Sequence, residues 1–311
     1  MALGAEHLAY PQRRHGMDHE RYDWSMLGQR APVAWPNGKK LALWVNVGLQ
    51  FFPMNPGSPV RLPGSMSMPY PDLRHFTLRD YGNRVGIYRF LDAFDAHGVK
   101  PTLAVNAGLA ERYPYLFEHL LARGDEIIGH GWDMDHPHAG TLARQDEAEL
   151  VARTLQRLRT LSGQPVRGWL SPGKLETAHT PELLAANGIA YFCDWVNDDM
   201  PYAFRTGNGP LLAMPLSTEL EDRFILMDNL HPAASYLEQV KDACDLLLAE
   251  ARQQGGRILA LSVHPWMLGQ PHRIAYLEQA LAYIMAQPDV WSASAGEIAD
   301  AFQAATPFTP A

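Results

Sequence analysis

The sequence predicts one α/β domain whose parallel strands curl into a barrel-like sheet, and three observations lead there. Strand-length apolar runs alternate with helix-period segments seven or eight times, which in one chain means parallel strands joined by helical crossovers. The run Leu41-Ala-Leu-Trp-Val-Asn-Val is continuous rather than alternating, as in a strand covered on both faces. Six such runs end at a polar residue: Gln50, Asn106, His130, Ser171, Asp194 and His264. In parallel α/β folds the carboxyl ends of the strands gather the ligand site, so these six are expected at one mouth. No linker, compositional shift or internal repeat divides the series, and residues 37–311 are expected to form a single domain behind an extended arm, residues 1–36.

The arm is rich in His, Arg, Tyr and Pro without a period, and needs Met17, Tyr22, Trp24 and Trp35 to pack on the domain or on a neighbouring subunit. After the Leu41 strand, the Pro- and Met-rich loop over residues 53–71 is long enough for a functional lid. Val85, Tyr88, Leu91 and Phe94 recur at helical spacing before Gly98, and residues 101–105 form the next strand. A helix over about 113–123 precedes the strand that delivers His130. Val151, Leu155, Leu158 and Leu161 mark one helix face closed by Gly163 and Pro165, followed by a strand at 166–170, a short helix at 181–186 and a strand at 189–193. Two less regular strands, 211–216 and 223–227, lead into a long helix over 235–254 that stops at Gly255-Gly256. Residues 257–263 are the last strong strand; a helix at about 272–286, a strand at 290–292 and a helix at 297–302 close the chain.

The 311 residues suffice to bury roughly 75% of the unfolded surface. A formal charge of -8 argues against a nucleic-acid groove or an anionic membrane, so the expected partner is a small molecule. Two cysteines, Cys193 and Cys244, make no disulfide framework and fit a reducing compartment. With no signal-like amino terminus and no span-length apolar run, a cytoplasmic protein is expected, and the arm makes a homo-oligomer the expectation for assembly.

His130 and His264 are the foremost catalytic candidates, because two imidazoles at strand ends can divide acid and base work near neutral pH. Asp194 is the expected orienting carboxylate for one of them. Each has a plain alternative, a loop-bound histidine or a capping aspartate. Trp132, Trp169, Trp195 and Trp266 lie within two residues of strand ends and would wall the mouth with indoles suited to a planar ring, although for any single tryptophan ordinary core packing is the preferred reading. Of the carboxylates Asp198 and Asp199, at least one reads as solvated loop, and Cys193 reads as buried and inert. A zinc ligand four residues after His130 would fall on Met134, so no metal is expected; zinc or another divalent ion held by His130 with Asp133 and His136 is the alternative. No Gly-x-Ser-x-Gly elbow, dinucleotide fingerprint or Walker loop is present.

Six stretches in order carry a further signal: Asp80-Tyr-Gly-Asn-Arg-Val-Gly, Gly129-His-Gly-Trp, Gly168-Trp, Asp194-Trp, Asp198-Asp-Met-Pro-Tyr and His264-Pro-Trp-Met-Leu-Gly-Gln-Pro-His-Arg. Together they resemble the polysaccharide deacetylase superfamily over about residues 40–302, and within it the branch of cofactor-independent allantoinases and cyclic imide hydrolases. The resemblance implies a distorted (β/α)7 barrel. It also implies a departure from the metal-dependent members: the first strand runs into Val47-Gly48-Leu49-Gln50 without the Asp-Asp pair, Met134 replaces the second motif histidine and Trp169 stands where an arginine would be. His130, Asp194-Trp195 and His264 do match.

The function expected is therefore hydrolysis of a non-peptide carbon-nitrogen bond that opens a small cyclic imide or ureide without metal. Water would attack the ring carbonyl with His130 or a nearby carboxylate assisting, and His264, steered by Asp194, would protonate the departing nitrogen. An oxyanion hole from backbone N–H groups near Asn106 or Ser171 is part of that expectation. Gln50, Asp80, Arg84 and Asp199 join the tryptophans as candidate substrate contacts. The alternatives are a metal-dependent N-acetyl-sugar deacetylase and a catalytically silent sugar- or ring-binding protein.

Overall fold

The structure is a computed structural model that describes residues 19–57, 73–139 and 142–306. Its centre is strand β1 (Leu41–Leu49), buried at every position, as a strand covered on both faces must be. Alternate side chains of β1 feed two packing layers. Leu41, Leu43, Val45, Val47 and Leu49 join the larger core; Ala42 and Trp44 join the second. By the two-residue period of a strand, Asn46, Gly48 and Gln50 continue the Ala42–Trp44 face toward the carboxyl end.

Around β1 stand β2 (Pro101–Val105), β3 (Glu126–Gly129), β4 (Gly168–Trp169), β5 (Tyr191–Phe192), β6 (Tyr202–Thr206), β7 (Gly209–Ala213), β8 (Arg257–Val263) and β9 (Val290–Ser292). The sheet order is β6-β7-β5-β4-β3-β2-β1-β8, with β9 pairing the lower part of β1 at Leu41–Leu43. Every pairing is parallel except the β6–β7 hairpin. Among the described residues β8 does not bond back to β6 or β7, so the sheet is a curled, mixed half-barrel of the (β/α) type rather than a closed cylinder. Helices α1 (Leu73–Tyr81), α2 (Ile87–His97), α3 (Ala107–Arg112), α4 (Pro114–Arg123), α5 (Arg144–Ser162), α6 (Thr180–Ala186), α7 (Ala233–Gln254), α8 (Ile274–Met285) and α9 (Ala295–Ala305) make the crossovers and the outer layer. None of these is long and apolar enough to cross a membrane.

Periodicity locates most of these elements, with four departures, one of them α3, which stands unforeseen between β2 and the helix expected at about 113–123. The expected strand at 223–227 is a single wide helical turn, Phe224–Asp228, in which Ile225 and Leu226 are buried consecutively instead of alternately. The β6 strand before β7 went unforeseen, and α1 lies ahead of the helix marked by Leu91 and Phe94, joined to it through the turn Gly82–Gly86.

Residues 19–36 run along the barrel: the Arg205 N–H donates to Arg21 O, Gly256 N–H to Val33 O, and the Trp35 indole N–H to Arg257 O at 2.9 Å. Tyr22 packs edge-on against Trp195 and Tyr202. Trp24, expected to pack, is 60% exposed, and Met17 lies outside the described residues. Most of the expected lid loop, residues 58–71, also lies outside them.

Candidate active site

The carboxyl ends of the strands surround a cavity of about 680 Å³, within the size range of small-molecule sites. His130 and His264 both line it. His130 follows β3, where its backbone N–H donates to Val105 O, and its Nδ1 lies 2.7 Å from Leu170 O. A carbonyl only accepts, so Nδ1 carries the proton and Nε2 presents a lone pair. Facing Nε2 at 3.4 Å is the amide nitrogen of Gln50, whose oxygen accepts from the Trp266 indole at 3.3 Å. Burial lowers the His130 pKa to about 4, with the nearby His264 adding to the effect and the Leu170 carbonyl opposing it, so this imidazole is neutral at physiological pH.

His264 follows β8 and is held differently. Asp222 accepts from its backbone N–H at 2.8 Å and from Nδ1 at 2.7 Å. Burial disfavours charge on this ring, but the Asp222 carboxylate and then Glu221 outweigh it, and the pKa of His264 is raised. Glu221 is held ionised against burial by His264, Lys174 and Arg223; Lys174 Nζ donates to it at 3.2 Å and Arg223 Nε at 3.0 Å. Gly48 makes room for the ring: a Cβ there would lie 2.8 Å from His264 Cδ2. The cavity thus holds one imidazole fixed as a neutral acceptor and one biased toward the charged donor.

Asp222, and not Asp194, is therefore the carboxylate on His264. Asp194 instead accepts the Ser171 N–H at 2.7 Å and neighbours the buried carboxyl of Glu176, which accepts from the Trp195 indole at 2.7 Å. Burial raises both pKa values, and two carboxyls in contact cannot both ionise, so the pair shares a proton. The expected oxyanion donors are also engaged elsewhere: Asn106 N–H donates to Leu49 O, and Ser171 N–H to Asp194. The Asn106 side chain instead ties two strand ends together, accepting from Phe51 N–H and donating to His130 O.

The tryptophans divide. Trp266 lines the cavity. Trp169 is fully buried with its indole on Ser171 Oγ at 2.9 Å, Trp132 lies under the Arg153 guanidinium at 3.8 Å, and Trp195 packs against Tyr22 and Phe204. None of these three faces the cavity. Gln50 does; Asp80 accepts from Tyr113 at 2.6 Å, while Arg84 and Asp199 are exposed away from it. Cys193 is buried, and burial pushes its thiol pKa well up, which suits an inert residue. His136 is half exposed on Asp133. His138, which with His136 makes the segment histidine-dense, is buried against Glu147 at 3.0 Å, and Glu147 also accepts from the Thr177 and Thr180 hydroxyls.

With this geometry in place, the molecule is a curled α/β half-barrel of the deacetylase type with two buried histidines at its mouth. Residues 78–192 match the polysaccharide deacetylase family profile. A Schizosaccharomyces pombe protein bearing the polysaccharide deacetylase name is 23% identical over 305 residues, covering 88% of this chain and 93% of that protein. The solved structure of PuuE allantoinase superposes with a TM-score of 0.79 at 24% identity, covering 93% of this chain and 99% of that one. A Pseudomonas aeruginosa PAO1 structure named for polysaccharide deacetylase superposes at 0.76, also 24% identical, over 88% of this chain and 95% of that one. The chain is thus similar to the polysaccharide deacetylases in its central sequence, residues 78–192, and in its fold.

A catalytic zinc of the kind found in deacetylases needs about three anionic or imidazole donors. Beside His130 the cavity offers the Gln50 amide and the Met134 thioether, and no group of three His, Cys, Asp or Glu among the described residues could hold a metal ion. This donor set does not fit zinc.

Proposed function

We propose that the protein is a hydrolase of non-peptide carbon-nitrogen bonds that opens a small cyclic imide or ureide, using its two histidines and no metal. One observation carries the reading: His130 and His264 line one cavity, the first with its Nδ1 on a carbonyl and the second with its Nδ1 on a carboxylate, which pushes their proton affinities apart. Paired titratable groups whose environments push their pKa values apart mark the acid and base assignments. His130 Nε2 accepts from the attacking water and takes its proton as the water oxygen bonds to the ring carbonyl carbon. His264, charged through its contact with Asp222, gives its proton to the ring nitrogen as the carbon-nitrogen bond breaks. His130 is a weak base, and its low pKa keeps the lone pair available across the neutral range.

An activity panel of hydantoins, dihydropyrimidines, succinimides, allantoin and N-acetyl sugars, run with and without chelator, tests this. Ring opening that survives chelation is expected. Stoichiometric bound metal, with turnover confined to N-acetyl sugars and lost to chelator, would refute it.

A further inference from the structure

Below Gln50 and Gly48, the inner face of β1 reaches Asn46. Its side chain lies at the cavity floor and is fully buried, yet neither Oδ1 nor Nδ2 has a hydrogen-bond partner. Strand register sets Ser262 beside it, also on the cavity lining, and Thr102 on the other flank. Buried amides are almost always bonded, because an idle donor or acceptor has lost water and gained nothing. Trp44 Nε1, one step down the same face, is likewise unpartnered but does not reach the cavity, so of the two only Asn46 can be satisfied by a ligand.

The chemistry of a primary amide narrows the ligand. Asn46 offers a donor and an acceptor side by side, and its complement is a group with an acceptor and a donor side by side. A small ring forces its amide bond cis, which places N–H and C=O on one edge. An open-chain amide such as an N-acetyl group is trans and presents them on opposite sides. We infer that Asn46 reads the amide edge of a ring substrate, Nδ2 donating to the ring carbonyl and Oδ1 accepting from the neighbouring ring N–H. It thereby selects rings with an unsubstituted –NH–C(=O)– edge over N-substituted rings and over acetamido groups. This rests on the ring-opening reading above and adds the feature of the ring that is recognised.

The test compares kcat/KM for whichever ring the panel shows to be opened with that for its N-methyl derivative, in wild type and in Asn46→Leu, a change of similar volume. Wild type should prefer the unsubstituted ring by about 10- to 100-fold, and Asn46→Leu should lose most of that preference, chiefly through KM. Its Tm should equal or exceed that of wild type, since the variant removes an unpaired buried amide. Asn46→Ala carries the same comparison if the leucine variant does not fold. Retention of the wild-type preference, or a marked fall in Tm that shows the amide to be structural, would overturn the assignment while leaving ring opening intact. Failure of wild type to open any ring overturns both.

Discussion

Replacing Asp222 with Asn removes the charge that sets the state of His264 while keeping the side chain's size. In the wild type both carboxylate oxygens accept, one from the His264 backbone N–H and one from Nδ1–H. An amide can accept at only one of these positions, so either the backbone loses its acceptor or the imidazole must surrender its Nδ1 proton. In both cases burial, the largest influence on this ring, is no longer outweighed by the adjacent carboxylate, and the His264 pKa moves from above its ordinary value to below it. General-acid catalysis contributes about 10²- to 10⁴-fold, which is the expected loss in kcat/KM. The pH profile of the wild type should fall on the acid side near pH 4, where His130 Nε2 becomes protonated. On the alkaline side it should fall above the ordinary histidine value of about 6.5, where His264 loses its proton. In the variant the alkaline edge moves to lower pH. Stability follows the same sign: a raised folded pKa gives His264 a contribution present below its unfolded pKa and lost as pH rises through the folded one, so the Tm gap between wild type and variant should narrow toward alkaline pH. A folded Asp222→Asn protein with kcat/KM within two-fold of wild type and an unmoved alkaline edge would remove His264 from the acid role.

Three further outcomes separate the site's parts. Gly48→Ala puts a methyl 2.8 Å from the His264 ring, so the ring must shift; about 1–3 kcal/mol of stability and on the order of 10²-fold in kcat/KM should be lost, and full activity would show that the ring's position is not critical. Asp194→Asn keeps the acceptor for Ser171 N–H and lets Glu176 ionise against a donor, so activity should stay within about ten-fold and the alkaline edge should hold; a loss matching that of Asp222→Asn with a shifted edge would restore Asp194 as the partner of His264. Glu147→Ala strips His138, Thr177 and Thr180 of their common acceptor in a buried setting and should cost about 3–5 kcal/mol by denaturant unfolding; a loss below about 1 kcal/mol would mean that water replaces the carboxylate.

The amino-acid order reveals the strands because each apolar run is bounded by breakers, and it reveals His130 and His264 because each ends such a run. It hides Asp222, since a carboxylate supplied from a connecting segment has no periodicity, and the apolar residues after it read as a strand; the consecutive burial of Ile225 and Leu226 shows a turn instead. The tryptophans mislead for another reason. Nearness to a strand end places a residue at the right height but not on the right side, and Trp169, Trp132 and Trp195 are absent from the cavity lining. Side is decided by parity, which β1 shows in full: once Trp44 is known to face inward, Asn46, Gly48 and Gln50 must follow it, and each lines the cavity. A strand that turns from Ala and Trp to Asn, Gly and Gln along one face is leaving the core and entering a site, so the identity of alternate residues locates cavity floor and mouth more sharply than the last residue of each strand does.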